Sequence, residues 1–152
     1  MNIESILAPE RTFCCLTAGS KKKAIEEAAR LIANVTDNLI AEEIYERLIS
    51  REKLGTTAIG HGIAIPHCRM NDCNEIVGGL FRLEAPVDFD AFDDEPVHIL
   101  FVLLVPEVEV DDHLKTLAML ASLFESEAYR SNLLGAEDDR DLYERAIAEI
   151  PE

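Results

Sequence analysis

A histidine that follows a proline and a glycine-rich turn is the residue in this sequence best placed to do chemistry. His67 ends the segment 60–67, in which Gly60 and Gly62 permit a tight turn and Pro66 restricts the backbone. A neutral imidazole nitrogen is a nucleophile when the other ring nitrogen donates to a fixed acceptor. A strand end holds such a ring more rigidly than a mobile loop does. The local pattern alone makes His67 a candidate nucleophile, but an unreactive histidine of the turn explains it slightly better.

The other three histidines occupy different kinds of position. His113 follows Asp111 and Asp112 at the start of a predicted helix, where backbone amides attract anions and a histidine could help to hold a phosphate. On spacing alone, a polar first-turn residue explains His113 better. His98 begins an apolar strand, which indicates a structural role. His61 lies between two glycines and is expected to be exposed.

Metal binding is a further and less favoured alternative for this region of the sequence. Four side chains that can bind zinc fall within one short stretch: His61, His67, Cys68 and Cys73. Their spacing is irregular and contains none of the paired motifs of zinc sites. The sequence also lacks a phosphate-binding loop, a dinucleotide fingerprint and a serine nucleophile elbow. It therefore predicts no metal and no cofactor.

The composition narrows the classes of partner. The chain has 152 residues, a hydrophobic content of 48% and a formal net charge of −16. A negative field of this size repels nucleic acid and anionic membrane surfaces, and it suits either a basic protein partner or simply a well-solvated surface. The longest apolar run, 97–105, is too short for membrane insertion, and no secretion signal is evident. We expect a cytoplasmic protein with reduced cysteines.

The first two thirds of the sequence alternate between predicted helices and strands. Residues 11–17 form a predicted strand, and Ser20 is expected to cap a helix that runs to about Asn34. A second helix, with Asp37 or Asn38 as its cap and with Ile40, Ile44, Tyr45, Leu48 and Ile49 facing inward, is expected to end near Gly55. A short strand is predicted before Pro66, and inner strands are predicted over 76–83 and 97–105.

The last third is predicted to be helical. Asp111 or Asp112 is expected to cap one helix, Ser126 to cap a short helix ending at Gly135, and Asp138 to begin the last. Helices at both ends with strands between them favour a single α/β domain over 1–152. The predicted architecture is a three-layer α/β/α sandwich on a mixed β-sheet, whose strand order the sequence leaves open.

Four segments resemble one family of bacterial phosphocarriers. The stretch 51–69, which reads REKLGTTAIGHGIAIPHCR, is similar to the active-site segment of the fructose/mannitol-type enzyme IIA family of the phosphotransferase system. Residues 86–93 and 96–107 resemble the family's central strands, and 113–121 resembles its second histidine with the following helix. The segments Phe89–Asp93 and Arg51–Gly55 look most like the nitrogen-regulatory form.

The resemblance implies a function and a set of site residues. His67 matches the histidine that accepts a phosphoryl group from the phosphocarrier HPr or its paralogue NPr, without a metal. His113 matches the second histidine, which helps to hold the phosphate, and Arg51 matches the arginine ahead of the glycine turn. Hydroxyl groups of Thr56 or Thr57 are expected to add hydrogen bonds to the phosphate. Nitrogen-type relatives regulate potassium transporters and sensor kinases, whereas sugar-transporting members pass the phosphate to enzyme IIB.

Four positions depart from the usual family pattern, and at one of them Thr56 replaces a serine and keeps its hydroxyl. Ala58 and Cys68 stand where the family has glycine, and His61 stands where it commonly has asparagine. Side chains at Ala58 and Cys68 are expected to shift the backbone angles of the turn if those positions need glycine. The thiol of Cys68 beside His67 also raises the question of oxidation. None of these changes removes a group that phosphoryl transfer requires.

Overall fold

The computed structural model describes residues 2–108 and 110–149. Two short 3₁₀ turns, Ile3–Ser5 and Pro9–Arg11, come first in this part of the chain. Six strands and five helices follow within the described residues: β1 (Thr12–Leu16), α1 (Lys21–Asn34), α2 (Ala41–Leu54), β2 (Ala58–Gly60), β3 (Ile63–Ala64), β4 (His67–Met70), β5 (Val77–Val87), β6 (Val97–Pro106), α3 (Val110–Glu125), α4 (Glu127–Leu134) and α5 (Asp139–Ala148).

The six strands form one mixed sheet. Strand β6 is antiparallel to β5 on one side and parallel to both β3 and β4 on the other. Strand β1 extends the sheet beyond β5 in parallel, and β2 is antiparallel to β3. Pro66 falls between β3 and β4, which pair with successive parts of β6. The residue that cannot donate a hydrogen bond therefore lies in the gap between two short strands.

Both faces of the sheet are covered by helices, which is why β6 is almost continuously apolar. Alternate side chains of a strand point to opposite faces. Leu100, Val102 and Leu104 pack into one core with α1 and α2. Ile99, Phe101, Leu103 and Val105 pack into a second core with α3, α4 and α5. This arrangement confirms the predicted α/β/α sandwich on a mixed sheet.

Side-chain caps begin three of the helices, as the sequence predicts. Ser20 accepts a hydrogen bond from the amide of Lys23 at the start of α1. Ser126 and Asp138 do the same for α4 and α5. Each cap satisfies an amide that has no partner within its own helix. Gly55 ends α2, also as predicted.

The predicted caps of the other two helices are wrong. Helix α2 begins at Ala41, and Ile40 occupies the cap position without a side-chain hydrogen bond. Ile40, which the periodicity placed inward, is 54% exposed, because the neighbouring Leu39 is the residue buried at the helix entry. Asp111 and Asp112 lie inside the first turn of α3. The position that precedes α3 is outside the described residues.

Candidate active site

His67 begins β4 and its ring orientation is fixed by the backbone. Its Nδ1 atom lies 2.7 Å from the carbonyl oxygen of Ile65. Because a carbonyl oxygen can only accept, Nδ1 carries the hydrogen in the neutral ring and Nε2 keeps the lone pair. This is the tautomer that a nucleophilic histidine needs.

The surroundings of His67 also favour its neutral form. Burial lowers the pKa of the imidazole below the ordinary value of 6.5. The hydrogen bond to Ile65 opposes this shift, and the positive charge of Arg51 adds to it. The net direction is downward, so the ring is uncharged and nucleophilic at pH 7.

His113 lies next to His67, although α3 is distant from β4 in the sequence. The two ring centroids are 5.6 Å apart and the ring planes are at 72°. Burial, followed by the charges of His67 and Arg69, lowers the pKa of His113. Its Nε2 atom is buried and has no hydrogen-bond partner among the described residues. Such an atom costs about 1–3 kcal/mol, which a phosphoryl oxygen accepting from it would offset.

Three arginines surround the two histidines of this acidic protein, and two glutamates line the same cavity. His67 and His113 line an open cavity of about 810 Å³ together with Arg47, Arg51 and Arg69. Arg47 pairs with a carboxylate of the chain, Glu107, at 3.5 Å. Within residues 2–108 and 110–149, Arg51 and Arg69 have no carboxylate partner. Guanidinium groups that no carboxylate neutralises are suited to binding a phosphoryl group.

Sequence reasoning missed Arg69 as a member of the site. It lies two residues after His67 in β4, and side chains at this spacing point to the same face of a strand. Arg69 could have been found only by predicting β4, and the four residues of that strand are too few to show a periodicity. Arg51 lines the cavity, and its Nη1 donates to the carbonyl oxygen of Gly55 over 2.8 Å.

The hydroxyl hydrogens of the two predicted phosphate-binding threonines already have acceptors. Thr56 donates to the carbonyl oxygen of Phe89, and Thr57, which is buried, donates to the carboxylate of Glu52. Both threonines line a smaller cavity of about 230 Å³ that also includes His67. Their contact with phosphate stays a prediction, whereas their contribution to the shape of the turn is visible.

The cysteine beside the nucleophile faces away from it. Cys68 packs into the core between the sheet and α1 and α2, on the opposite side of β4 from His67. Burial raises the pKa of its thiol to about 12, so it is protonated at pH 7 and reacts slowly with oxidants. Neither Cys68 nor Ala58 has a positive φ angle. Their backbones therefore do not need glycine, and the expected shift of the turn is wrong.

Two further expectations concern the remaining histidines and the zinc alternative. His61 is exposed, as predicted, and has a left-handed φ of 59°. The side chain of His98 packs against Gly62, where a Cβ atom would lie 2.9 Å from the ring. Within residues 2–108 and 110–149, no group of three histidine, cysteine, aspartate or glutamate side chains is arranged to hold a metal. No helix in the same ranges is long and apolar enough to cross a membrane.

A family model matches nearly the whole chain. The model described as "Phosphoenolpyruvate-dependent sugar phosphotransferase system, EIIA 2" matches residues 5–149. The chain belongs to this EIIA type-2 family. Membership makes it a component of a phosphotransfer system.

Individual relatives within the EIIA type-2 family include regulatory and sugar-specific proteins. The nitrogen regulatory protein of Pseudomonas aeruginosa is 42% identical over 147 residues, which cover 97% of this chain and 96% of that protein. A fructose-specific EIIA component of Haloferax volcanii is 36% identical over 107 residues, covering 70% and 69%. The chain is therefore similar to both regulatory and sugar-specific members.

Solved structures show the same fold. The nitrogen regulatory protein IIA-Ntr of Neisseria meningitidis superposes with a TM-score of 0.87 and 37% identity, covering 95% of this chain and 97% of that one. Enzyme IIAMTL of Escherichia coli, in its complex with phosphorylated enzyme IIBMTL, has a TM-score of 0.77 and 18% identity, covering 94% and 99%. A protein of this fold thus forms a complex with a phosphorylated enzyme IIB.

Proposed function

We propose that this EIIA type-2 protein is a phosphocarrier in which Nε2 of His67 accepts a phosphoryl group from a phosphohistidine of HPr or NPr. One observation carries the proposal: the hydrogen bond from Nδ1 to the carbonyl oxygen of Ile65 leaves the lone pair on Nε2. The lowered pKa of His67 keeps that lone pair available at pH 7.

The transfer requires only the two imidazole rings and the phosphoryl group. The bond between phosphorus and the donor's ring nitrogen breaks, and that nitrogen keeps the electron pair. A bond forms between phosphorus and Nε2 of His67, whose lone pair supplies the electrons. Nδ1 keeps its hydrogen, so the phosphorylated ring is positively charged. The carbonyl oxygen of Ile65 accepts from this N–H and stabilises the charge.

The neighbouring cations stabilise the phosphoryl group during transfer. Arg51 and Arg69 line the cavity beside His67, and both have donors that no carboxylate of the described residues occupies. His113 supplies a buried ring nitrogen without a partner among the described residues. Catalysis of this kind depends on positioning and on charge stabilisation, because the reaction needs no acid or base to cleave the bond.

The purpose of the transfer is regulation rather than sugar uptake in this proposal. The similarity to the nitrogen regulatory protein of P. aeruginosa covers almost the whole chain at 42% identity. A phosphoryl dianion on His67 changes the charge of the cavity mouth, and docking of targets such as potassium transporters or sensor kinases would respond to it. The second candidate is delivery of phosphate to an enzyme IIB, which the fructose-specific relative favours.

Phosphorylation in a reconstituted system tests the central claim. The protein is incubated with phosphoenolpyruvate, enzyme I and either HPr or NPr, and mass spectrometry locates the phosphate. We expect one phosphoryl group on His67 and none in His67→Ala. His61→Asn is the matched control, because His61 is exposed and lies outside the cavity. A phosphate elsewhere, or a labelled His67→Ala protein, would refute the proposal.

A second measurement separates regulation from sugar uptake. Phosphorylated protein is mixed with a fructose-type enzyme IIB, and the loss of phosphate from His67 is followed over time. We expect loss no faster than spontaneous hydrolysis. Rapid stoichiometric transfer to enzyme IIB would favour the second candidate and leave the role of His67 intact.

A further inference from the structure

A buried carboxylate anchors the turn that precedes the active-site strands. Glu52 is only 7% exposed, and its oxygens accept hydrogen bonds from both the amide (3.2 Å) and the hydroxyl of Thr57. Lys21 of α1 forms an ion pair with the same carboxylate at 2.9 Å. Burying a carboxylate costs several kcal/mol unless it is paired and hydrogen-bonded. The three contacts therefore offset a large penalty and fix Thr57 in one position.

The contacts continue from Thr57 to the reactive ring. The carbonyl oxygen of Thr57 accepts from the amide of Ile65 over 3.0 Å. The carbonyl oxygen of the same Ile65 accepts from Nδ1 of His67 over 2.7 Å. Glu52 is thus connected to the imidazole of His67 by an unbroken series of hydrogen bonds through Thr57 and Ile65.

The structure assigns Glu52 a positioning role: through Thr57 and the backbone of Ile65, it fixes the tautomer and the direction of the His67 ring. Glu52 does not line either cavity beside His67, so it does not contact the phosphoryl group. The role in transfer rests on the proposed function, whereas the effect on the ring does not depend on it. Arg51, the preceding residue, donates to the carbonyl oxygen of Gly55 in the same turn, and this bond holds its guanidinium in place. Adjacent residues of α2 therefore position a cation of the site, Arg51, and the nucleophile, His67.

The assignment also gives Thr57 a role other than contact with phosphate. The hydroxyl hydrogen of Thr57 is directed to Glu52, so its effect on transfer acts through the position of Ile65 rather than through the phosphate. A residue that contacts phosphate and one that positions the nucleophile can be separated by a double-mutant cycle, because residues of one network have non-additive effects.

Nitrogen-15 NMR of histidine-labelled protein tests the effect on the ring. The chemical shifts of Nδ1 and Nε2 report which atom carries the hydrogen. We expect Glu52→Gln and Thr57→Val to lower the fraction of His67 with hydrogen on Nδ1, and Thr57→Ser, which keeps the hydroxyl, to restore it. The matched controls are Thr17→Val and Glu84→Gln, which break a threonine–glutamate bond of 3.0 Å outside the site. The controls should leave the ring nitrogens of His67 unchanged.

Transfer kinetics give the second readout. We expect Glu52→Gln and Thr57→Val to lower the maximal rate of His67 phosphorylation by between about tenfold and a hundredfold. The donor concentration for half-maximal rate should stay within about twofold, because the docking surface is unchanged. The double variant should be no slower than the worse single variant. Additive losses would instead assign Thr57 to the phosphate and overturn its connection to Glu52.

One result overturns the assignment as a whole: ring nitrogens of His67 that do not move in folded Glu52→Gln and Thr57→Val proteins. If Glu52→Gln fails to fold, Thr57→Val decides the question, because it removes one hydroxyl and conserves volume. An unmodified protein that takes up no phosphate would refute the proposed function. The NMR result would still decide whether Glu52 orients the ring.

Discussion

Charged side chains of α2 and β5 anchor two loops of this protein, and the hydrogen bonds of Glu52 in α2 continue to the proposed nucleophile. Glu52 holds the turn after α2, and its hydrogen bonds continue through Thr57 and Ile65 to His67. Arg82 of β5 holds the connection between α4 and α5, and its contacts end on backbone carbonyl oxygens and on the sulfur of Cys14. Its guanidinium donates to the carbonyl oxygens of Cys14, Leu134 and Ala136 over 2.8–3.0 Å.

The difference shows that similar anchoring can serve stability or chemistry. Arg82 donates to the carbonyl oxygen of Leu134, the last residue of α4, which has no amide partner in the helix. Its contribution is therefore to the free energy of unfolding. Glu52 orders a turn that is bonded to Arg51 on one side and, through Ile65, to His67 on the other. Its contribution therefore extends to the rate of transfer. Variants at the two loops should separate these effects.

The largest expected effect is a loss of stability at the Arg82 loop. Arg82→Met removes the donor from two partly buried carbonyl oxygens, those of Cys14 and Ala136, and we expect the free energy of unfolding to fall by about 2–3 kcal/mol. Urea denaturation measures it. Arg140→Met, which breaks an exposed ion pair of 3.1 Å, is the control and should change little. Phosphorylation of folded Arg82→Met should proceed at the normal rate, and a slow rate would contradict the separation of the two loops.

A smaller effect, on the transfer rate rather than on stability, is expected at Arg51. Arg51→Gln removes a cation beside His67, and we expect transfer to slow by about tenfold, which corresponds to roughly 1.4 kcal/mol. The free energy of unfolding should change by less than that, since the side chain lies at the cavity surface. Arg30→Gln, at an exposed ion pair on α1, is the control. An unchanged transfer rate would remove Arg51 from the site.

The pH dependence of His67 is the next test. Burial and the charge of Arg51 lower its pKa, so the ring should lose its lone pair to a proton only below pH 6.5. As pH falls through the lowered pKa, the neutral fraction and the transfer rate should fall together. Arg51→Gln removes a group that lowers the pKa and should shift the midpoint upward. Proton NMR of the ring measures it, and a midpoint at or above 6.5 in the unmodified protein would contradict the structure.

The smallest effect is expected at His61. Its φ of 59° is left-handed, a conformation that asparagine adopts more readily than most residues. We expect His61→Asn to change the free energy of unfolding by less than about 0.5 kcal/mol, towards higher stability, with an unchanged transfer rate. Thermal unfolding of the two proteins side by side is sufficient. A clear loss of stability would show that the imidazole makes a contact of its own.

Local patterns were sufficient for much of the fold. The long apolar runs predicted β5 and β6, and hydroxyl or carboxylate caps predicted where α1, α4 and α5 begin. These predictions succeed because a capping side chain bonds an amide only three residues further on, and because a strand buried on both faces is a continuous apolar run. Strands β2 and β4 were missed, because three or four residues carry no measurable period. The start of α2 was misplaced, because the burial of Leu39 outweighed the polar caps before it.

The sequence by itself determined that His67 is the candidate nucleophile, since its turn, its proline and the family resemblance all lie in one continuous segment. Tertiary structure decided what surrounds it. The order of the strands brings His113 against His67 and turns Arg69 towards the cavity and Cys68 into the core. It also joins Glu52 to the ring through Ile65. Such contacts follow from which strands and helices are adjacent, and local periodicity carries no information on adjacency.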